Sequence, residues 1–290
     1  MSTEARVVTP AMLREWALPE PGDSKYSRGQ VLVVGGALRS PGAAMLAGIA
    51  ALRVGAGRLT LAVGSSVAAA VGAAVPETGI VPLVESADGS ITGDALAAAA
   101  DDIRAADAVL LGPGLDDVEA TGQQLSELHR LLGDDGVVVL DAFALGALAD
   151  ADPEAVVEPL RGRLLLTPNP AEAGILLGRD AHDLDDAAIE IAARYGAVVT
   201  CQNRVAAPDG RLWTVEAGGP TLGTSGSGDV LAGAVAGLAA RGAGREQAVV
   251  WATFLHATAG DRLAARLGRL GSLARELPTE FPSLLAELER

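Results

Sequence analysis

Short aliphatic runs recur along the chain, and most are stopped by glycine, proline or aspartate. Val31 to Val34 ends at Gly35-Gly36, Val109 to Leu111 at Gly112-Pro113-Gly114, Val137 to Leu140 at Asp141, and Leu164 to Leu166 at Thr167-Pro168. Leu59 to Val63 and the stretch from Val198 to Cys201 read the same way. Helical patterns lie between them, as at Pro41 to Val54, Asp116 to Leu132 and Asp183 to Tyr195. Gly55 and Gly57 close the first of these, so residues 31–63 predict a βαβ unit, whose crossover is right-handed in nearly all proteins. Strands that are apolar throughout belong to sheets covered on both faces. The pattern therefore predicts a doubly wound α/β fold with a mainly parallel sheet. Ala206 to Val215, turning at Pro208-Asp209-Gly210-Arg211, predicts a β-hairpin. Two long helices follow, at about 227–240 and 245–266, and another starts near Ser272. Residues 1–29 are polar and end in DSKYSRG, which predicts a lead-in loop. No linker-like stretch divides residues 1–290, so a single domain is expected.

Composition narrows the picture. The chain has 290 residues, 49% of them hydrophobic but only 3% aromatic, so its core must be packed with Ala, Val and Leu. A net charge of −15 disfavours nucleic acid and anionic membranes as partners. It leaves room for a small anionic ligand, which responds to local dipoles. Cys201 is the one cysteine, so no intrachain disulfide forms. The N-terminal MSTEARVVTPAMLREW carries charges where a signal peptide needs an apolar core. The run AAMLAGIAAL is too short to span a membrane. A cytoplasmic location is expected.

In open α/β sheets ligands lie beyond the carboxyl ends of the strands. Here those ends carry GGALRSPGA, GPGLDD, LDAFAL and TPNPAE. Each could be no more than a tight turn. The strongest segment is Gly223-Thr224-Ser225-Gly226-Ser227-Gly228-Asp229, followed by the apolar run VLAGAVAGLAA. Small residues let a backbone approach a ligand closely, and the following helix offers free N–H groups and the positive end of its dipole, a combination that binds phosphate. Asp229 falls in the first turn of that helix. It either caps the helix or acts as a general base beside a phosphate cradle. The segment lacks the lysine of a P-loop.

GTSGSGDVLAGAVAGLAARG resembles the anion-hole signature of the ribokinase-like superfamily. Within it, the chain is similar to the ADP- or ATP-dependent NAD(P)H-hydrate dehydratases from Gly29 to about Asp261, through GQVLVVGG, PGAAMLAGIAALRVGAGRLTLAV, GPGL, VLDA, LTPNPAE and LHATAGD, in that order. The resemblance implies a repair reaction. A nucleoside di- or triphosphate phosphorylates the hydroxyl of hydrated NADH or NADPH, phosphate leaves, and the ring double bond returns. It implies ADP or ATP as co-substrate, magnesium, and a homo-oligomer, a tetramer by the family's habit. By the same resemblance Asp229 activates the hydroxyl and contacts the substrate. The amides of Gly226, Ser227 and Gly228 hold the transferred phosphoryl group and the nucleotide. Ala43, Gly114 and Asn169 line the dinucleotide, and Glu172 organises magnesium indirectly or is simply a helix residue.

The chain departs from the family at several positions. Asn169 stands where a histidine is usual, Phe143 where a carboxylate is, and Asp116 where a glycine is. Thr200-Cys201-Gln202-Asn203 stands where Leu-Lys-Gly is expected, which removes a phosphate-binding cation unless Arg204 replaces it. Among other candidates, His256 reads as a packed helix residue and Cys201 as a buried thiol, while His129 and His182 suggest no chemistry. No His or Cys pair has zinc spacing. The basic residues from Arg262 to Arg275 read as a solvated helix face. A kinase of the same fold acting on a primary alcohol, and a weakly active dinucleotide-binding paralogue, remain alternatives.

Overall fold

The computed structural model describes residues 5–289. The first half runs β1 (Arg6–Val7), α1 (Pro10–Glu15), β2 (Gln30–Val34), α2 (Pro41–Arg53), β3 (Arg58–Gly64), α3 (Ala68–Ala74), β4 (Thr78–Leu83), α4 (Ala100–Ala105), β5 (Ala108–Leu111) and α5 (Val118–Leu131). It continues as β6 (Val137–Leu140), α6 (Phe143–Ala149), α7 (Glu158–Leu160), β7 (Leu164–Leu166), α8 (Pro170–Leu177), α9 (Leu184–Tyr195) and β8 (Val198–Cys201). The hairpin strands β9 (Arg204–Ala206) and β10 (Leu212–Thr214) precede α10 (Ser227–Ala240), α11 (Arg245–Leu267) and α12 (Leu277–Leu288). The strands form one ten-stranded sheet in the order β1-β10-β9-β8-β7-β6-β5-β2-β3-β4. Its pairings are parallel except where β9 meets β8 and β10.

The apolar strands bury both faces, as their composition requires. In β2, Val31 and Val33 face α2, α10 and α11, while Leu32 and Val34 face α5 and α6. β5 repeats this, with Leu110 on the first side and Val109 and Leu111 on the second. The first helical layer is built from small residues. A Cβ on Gly233 of α10 would lie 2.0 Å from the Ala47 carbonyl oxygen of α2, and one on Gly237 would lie 2.6 Å from that of Ala51. The two helices are thus in backbone contact, which fixes where α10 begins.

Two expectations change. The lead-in is not a loop throughout, because it contains β1 and α1. Thr9 caps α1 ahead of Pro10, and the Trp16 carbonyl accepts from Gln247 and from the Trp251 indole, each at 3.0 Å. Residues 1–4 lie outside the described part. The basic face from Arg262 is also not simply solvated, since Arg262 pairs with Glu287, and Arg266 with Glu280 at 2.8 Å, so that α12 packs on α11 of its own chain. Among the described residues no helix is long and apolar enough to cross a membrane.

Candidate active site

The chain builds β2, β3 and β4 outward, then returns to place β5 on the other side of β2 and continues through β6, β7 and β8. The strand order therefore reverses between β2 and β5, and open α/β sheets carry their ligand crevice at the carboxyl ends of the strands flanking such a reversal. The loops there are interlocked. Gly36 N–H donates to Pro113 O at 2.8 Å and Ala37 N–H to Gly114 O at 3.0 Å. A Cβ on Gly35 would sit 2.1 Å from Pro113 O, so only glycine fits. Gly114, at φ 76, packs so that an added Cβ would be 3.1 Å from the Ala43 Cβ. Ala43 and Gly114 thus meet in the crevice. One turn along α2, Leu46 reaches Gly226, where an added Cβ would be 2.5 Å from its Cδ1. The glycine loop therefore borders the same crevice.

Gly226, at φ 89, turns the chain into α10. The N–H of Ser227 donates to Thr224 O at 3.1 Å, so this amide is already engaged. Among the described residues the N–H groups of Gly226, Gly228 and Asp229 have no protein acceptor, and they lie where the helix dipole favours an anion. An added Cβ on Gly228 would meet nothing within 4 Å, so its outer side is open. The Asp229 carboxyl is half-buried, and burial, with the Glu172 charge behind it, raises its pKa to about 6.

Two further carboxylates interact with it through charge. Asp141 is buried at the end of β6 and accepts from the Thr167 hydroxyl at 2.7 Å. Burial pushes its pKa up to about 7, and the charges of Asp229 and Glu172 push the same way. Ala142, the next residue, is held at φ 51, ψ −123, a conformation disfavoured outside glycine and characteristic of strained functional turns. Glu172 sits in the first turn of α8 in a reciprocal cap with Asn169. Its Oε2 accepts the Asn169 N–H at 2.9 Å, and Asn169 Oδ1 accepts the N–H groups of Ala171 and Glu172 at 2.9 and 3.0 Å. Burial raises the Glu172 pKa as well. Asn169 keeps only its amide NH2 for a ligand.

Asp141 is the residue that the sequence reading passed over, taking it only as a strand stop. An aspartate at the carboxyl end of a parallel strand was the available signal. Cys201 lies on the Glu172 side, fully buried, and burial followed by the Glu172 charge lifts its thiol to about 11, so it is inert at neutral pH. Gln202 takes φ 53 in the two-residue turn between β8 and β9, a position where glycine is preferred. Arg204 does not replace the missing lysine, because its guanidinium is paired with Asp185 of α9. Phe143 is 40% exposed at the start of α6.

Among the described residues no basic side chain offsets the charges of Asp229 and Glu172 on Asp141, or that of Glu172 on Asp229. Among the described residues no three ligands converge to hold a metal by themselves. Uncompensated carboxylates of this kind would fit magnesium, a hard cation that keeps several of its waters.

A doubly wound sheet with open amides and a raised-pKa carboxylate at the start of one helix defines a ribokinase-like enzyme. A ribokinase-like superfamily protein from Enterococcus faecalis has the same fold, with a TM-score of 0.81 over 98% of this chain and 96% of its own at 21% identity. More narrowly, the chain belongs to the NAD(P)H-hydrate dehydratase family, whose model matches residues 31–283. It is 44% identical, over 98% of both chains, to the ADP-dependent (S)-NAD(P)H-hydrate dehydratase of Xanthomonas campestris. The ADP/ATP-dependent NAD(P)H-hydrate dehydratase of Bacillus subtilis, co-crystallised with ATP/Mg2+, matches at 26% identity with a TM-score of 0.79, over 98% of this chain and 99% of its own.

Proposed function

We propose that this chain returns hydrated NADH and NADPH to NADH and NADPH at the expense of ADP, or of ATP. The observation that carries the reading is the half-buried Asp229 carboxylate beside the open amides of Gly226, Gly228 and Asp229, in the crevice lined by Ala43 and Gly114. The 44% identity to an ADP-dependent relative over nearly the whole length supports the nucleotide.

Asp229 takes the proton of the ring hydroxyl, and the freed oxygen attacks the terminal phosphorus of the nucleotide. The bond to the bridging oxygen breaks, releasing AMP from ADP or ADP from ATP. The open amides stabilise charge on the transferred group. Ser227 holds the loop, since its own N–H is engaged by Thr224. The ring nitrogen's lone pair then pushes out the phosphate, and the neighbouring carbon loses a proton as the double bond returns. Phosphate leaves where hydroxide would not. Glu172 and Asp141 would hold magnesium through water. When bound, that ion neutralises the nucleotide's phosphates.

Asp229→Ala is expected to abolish turnover with unchanged folding by circular dichroism. Asp229→Asn is expected to bind the dinucleotide without converting it, and normal turnover in either variant removes Asp229 from this role. The chain is proposed to act as a single ribokinase-like domain in the cytoplasm and to assemble as a homo-tetramer. The continuous sheet supports the first point, and the single, buried cysteine fits a reducing compartment.

A further inference from the structure

α11 carries a histidine that the reaction scheme leaves without a task. His256 is 8% exposed. Its Nε2 lies 2.9 Å from Ser227 Oγ and 3.0 Å from Ser227 O. Burial drives the ring's pKa down to about 4, so the imidazole is neutral near pH 7 and carries one N–H. A carbonyl only accepts, so that N–H is on Nε2 and points at the Ser227 peptide. Thr224 O takes the Ser227 N–H at 3.1 Å, and the single Nε2–H is shared between the Ser227 carbonyl and hydroxyl oxygens, which both accept. Around Ser227, Gly226, Gly228 and Asp229 keep open amides. α11 is itself anchored to the sheet one turn earlier, where Thr253 Oγ1 meets Thr200 Oγ1 of β8 at 2.9 Å.

We infer that His256 is a positioning residue for the phosphoryl-transfer site, fixing the Ser227 peptide so that the Gly228 and Asp229 amides and the Asp229 carboxyl face the ligand. This rests on the function proposed above and adds a residue to it. Gly226, at φ 89, is the point where the loop turns into α10, and Gly228 follows in the first turn, so the histidine holds the peptide between two glycines from the interior side. Displacing a reacting group by about 1 Å lowers a rate by roughly 100-fold, and the same amides hold the nucleotide, so losing the contact should both lower kcat and weaken ADP binding.

The test compares two polar replacements. The side-chain amide of His256→Gln can reach the place of Nε2, whereas that of His256→Asn reaches only the place of Nδ1. We expect His256→Gln to keep kcat within about 3-fold and His256→Asn to lose about 100-fold, with similar melting temperatures. Equal kcat in the Gln and Asn variants, or a normal Asn variant, overturns the inference. ADP affinity by calorimetry is measured on the same proteins and needs no turnover. A wild type that binds ADP without repairing hydrated NADH would overturn the activity while the affinity series still decides the role of His256. A weaker Asn variant supports it, and equal affinities overturn it.

Discussion

Asp141 offers a quantitative test, because its carboxyl is buried and its pKa is raised from 3.8 to about 7. Each pH unit between those values corresponds to about 1.4 kcal/mol. The folded chain with Asp141 ionised is therefore less stable by about 4 kcal/mol than it would be with that group neutral. The raised pKa fixes the sign. The favourable state, a neutral buried acid, is fully present below the ordinary value of 3.8 and is lost as pH rises through about 7. Asp141→Asn keeps a neutral group of the same shape, and its Oδ1 still accepts from Thr167, which donates at 2.7 Å. The new amide NH2 needs a partner, and leaving it without one costs about 1–3 kcal/mol. A net gain of about 2 kcal/mol remains above pH 7, or roughly 4 °C in Tm for a chain of this size. Below about pH 4 the gain disappears, and the unpartnered amide leaves the variant slightly less stable than wild type. Thermal melts of both proteins across this range decide the matter. A Tm difference that does not change with pH, or one that favours the wild type at high pH, would refute the buried-carboxyl argument.

Since Asp229 must be ionised to accept a proton, kcat/KM should rise as pH is raised through about 6 and then level off. A flat or falling profile across that interval would contradict its role as base. Gly233→Ala places a methyl where a Cβ would be 2.0 Å from the Ala47 carbonyl oxygen, so α2 and α10 must separate. We expect a loss of about 2 kcal/mol in urea melts despite alanine's better helix propensity, together with lower turnover because α10 carries the loop.

The strands and the doubly wound class were legible because the aliphatic runs of β2, β5 and β6 are unbroken and each ends in a turn residue. β4 was not legible. It contains Gly79 and Pro82, which sheets tolerate at an edge, and it forms that edge beside β3. β1 is two residues long and α1 six, below the length at which periodicity is readable. The turn of the hairpin expected at Ala206 to Val215 is legible, but its first strand, Arg204–Ala206, lies earlier than that range, and its second is Leu212–Thr214. The glycine loop and Asp229 could be picked out by composition. The importance of Asp141 depends on β6, α8 and α10 ending together, which no local pattern encodes. The three loop amides look alike in sequence, and only the fold distinguishes Ser227, through Thr224 and His256. Arg204 looked available as a cation until α9 brought Asp185 to it.

The most direct test of the account mixes the folded protein with hydrated NADH, magnesium and either ADP or ATP, and follows the near-ultraviolet absorbance of the reduced nicotinamide ring. A nucleotide-dependent rise is expected, with one phosphate released per NADH restored and AMP formed when ADP is the donor. No rise with either nucleotide, or a stable phosphorylated product in place of NADH, would contradict it.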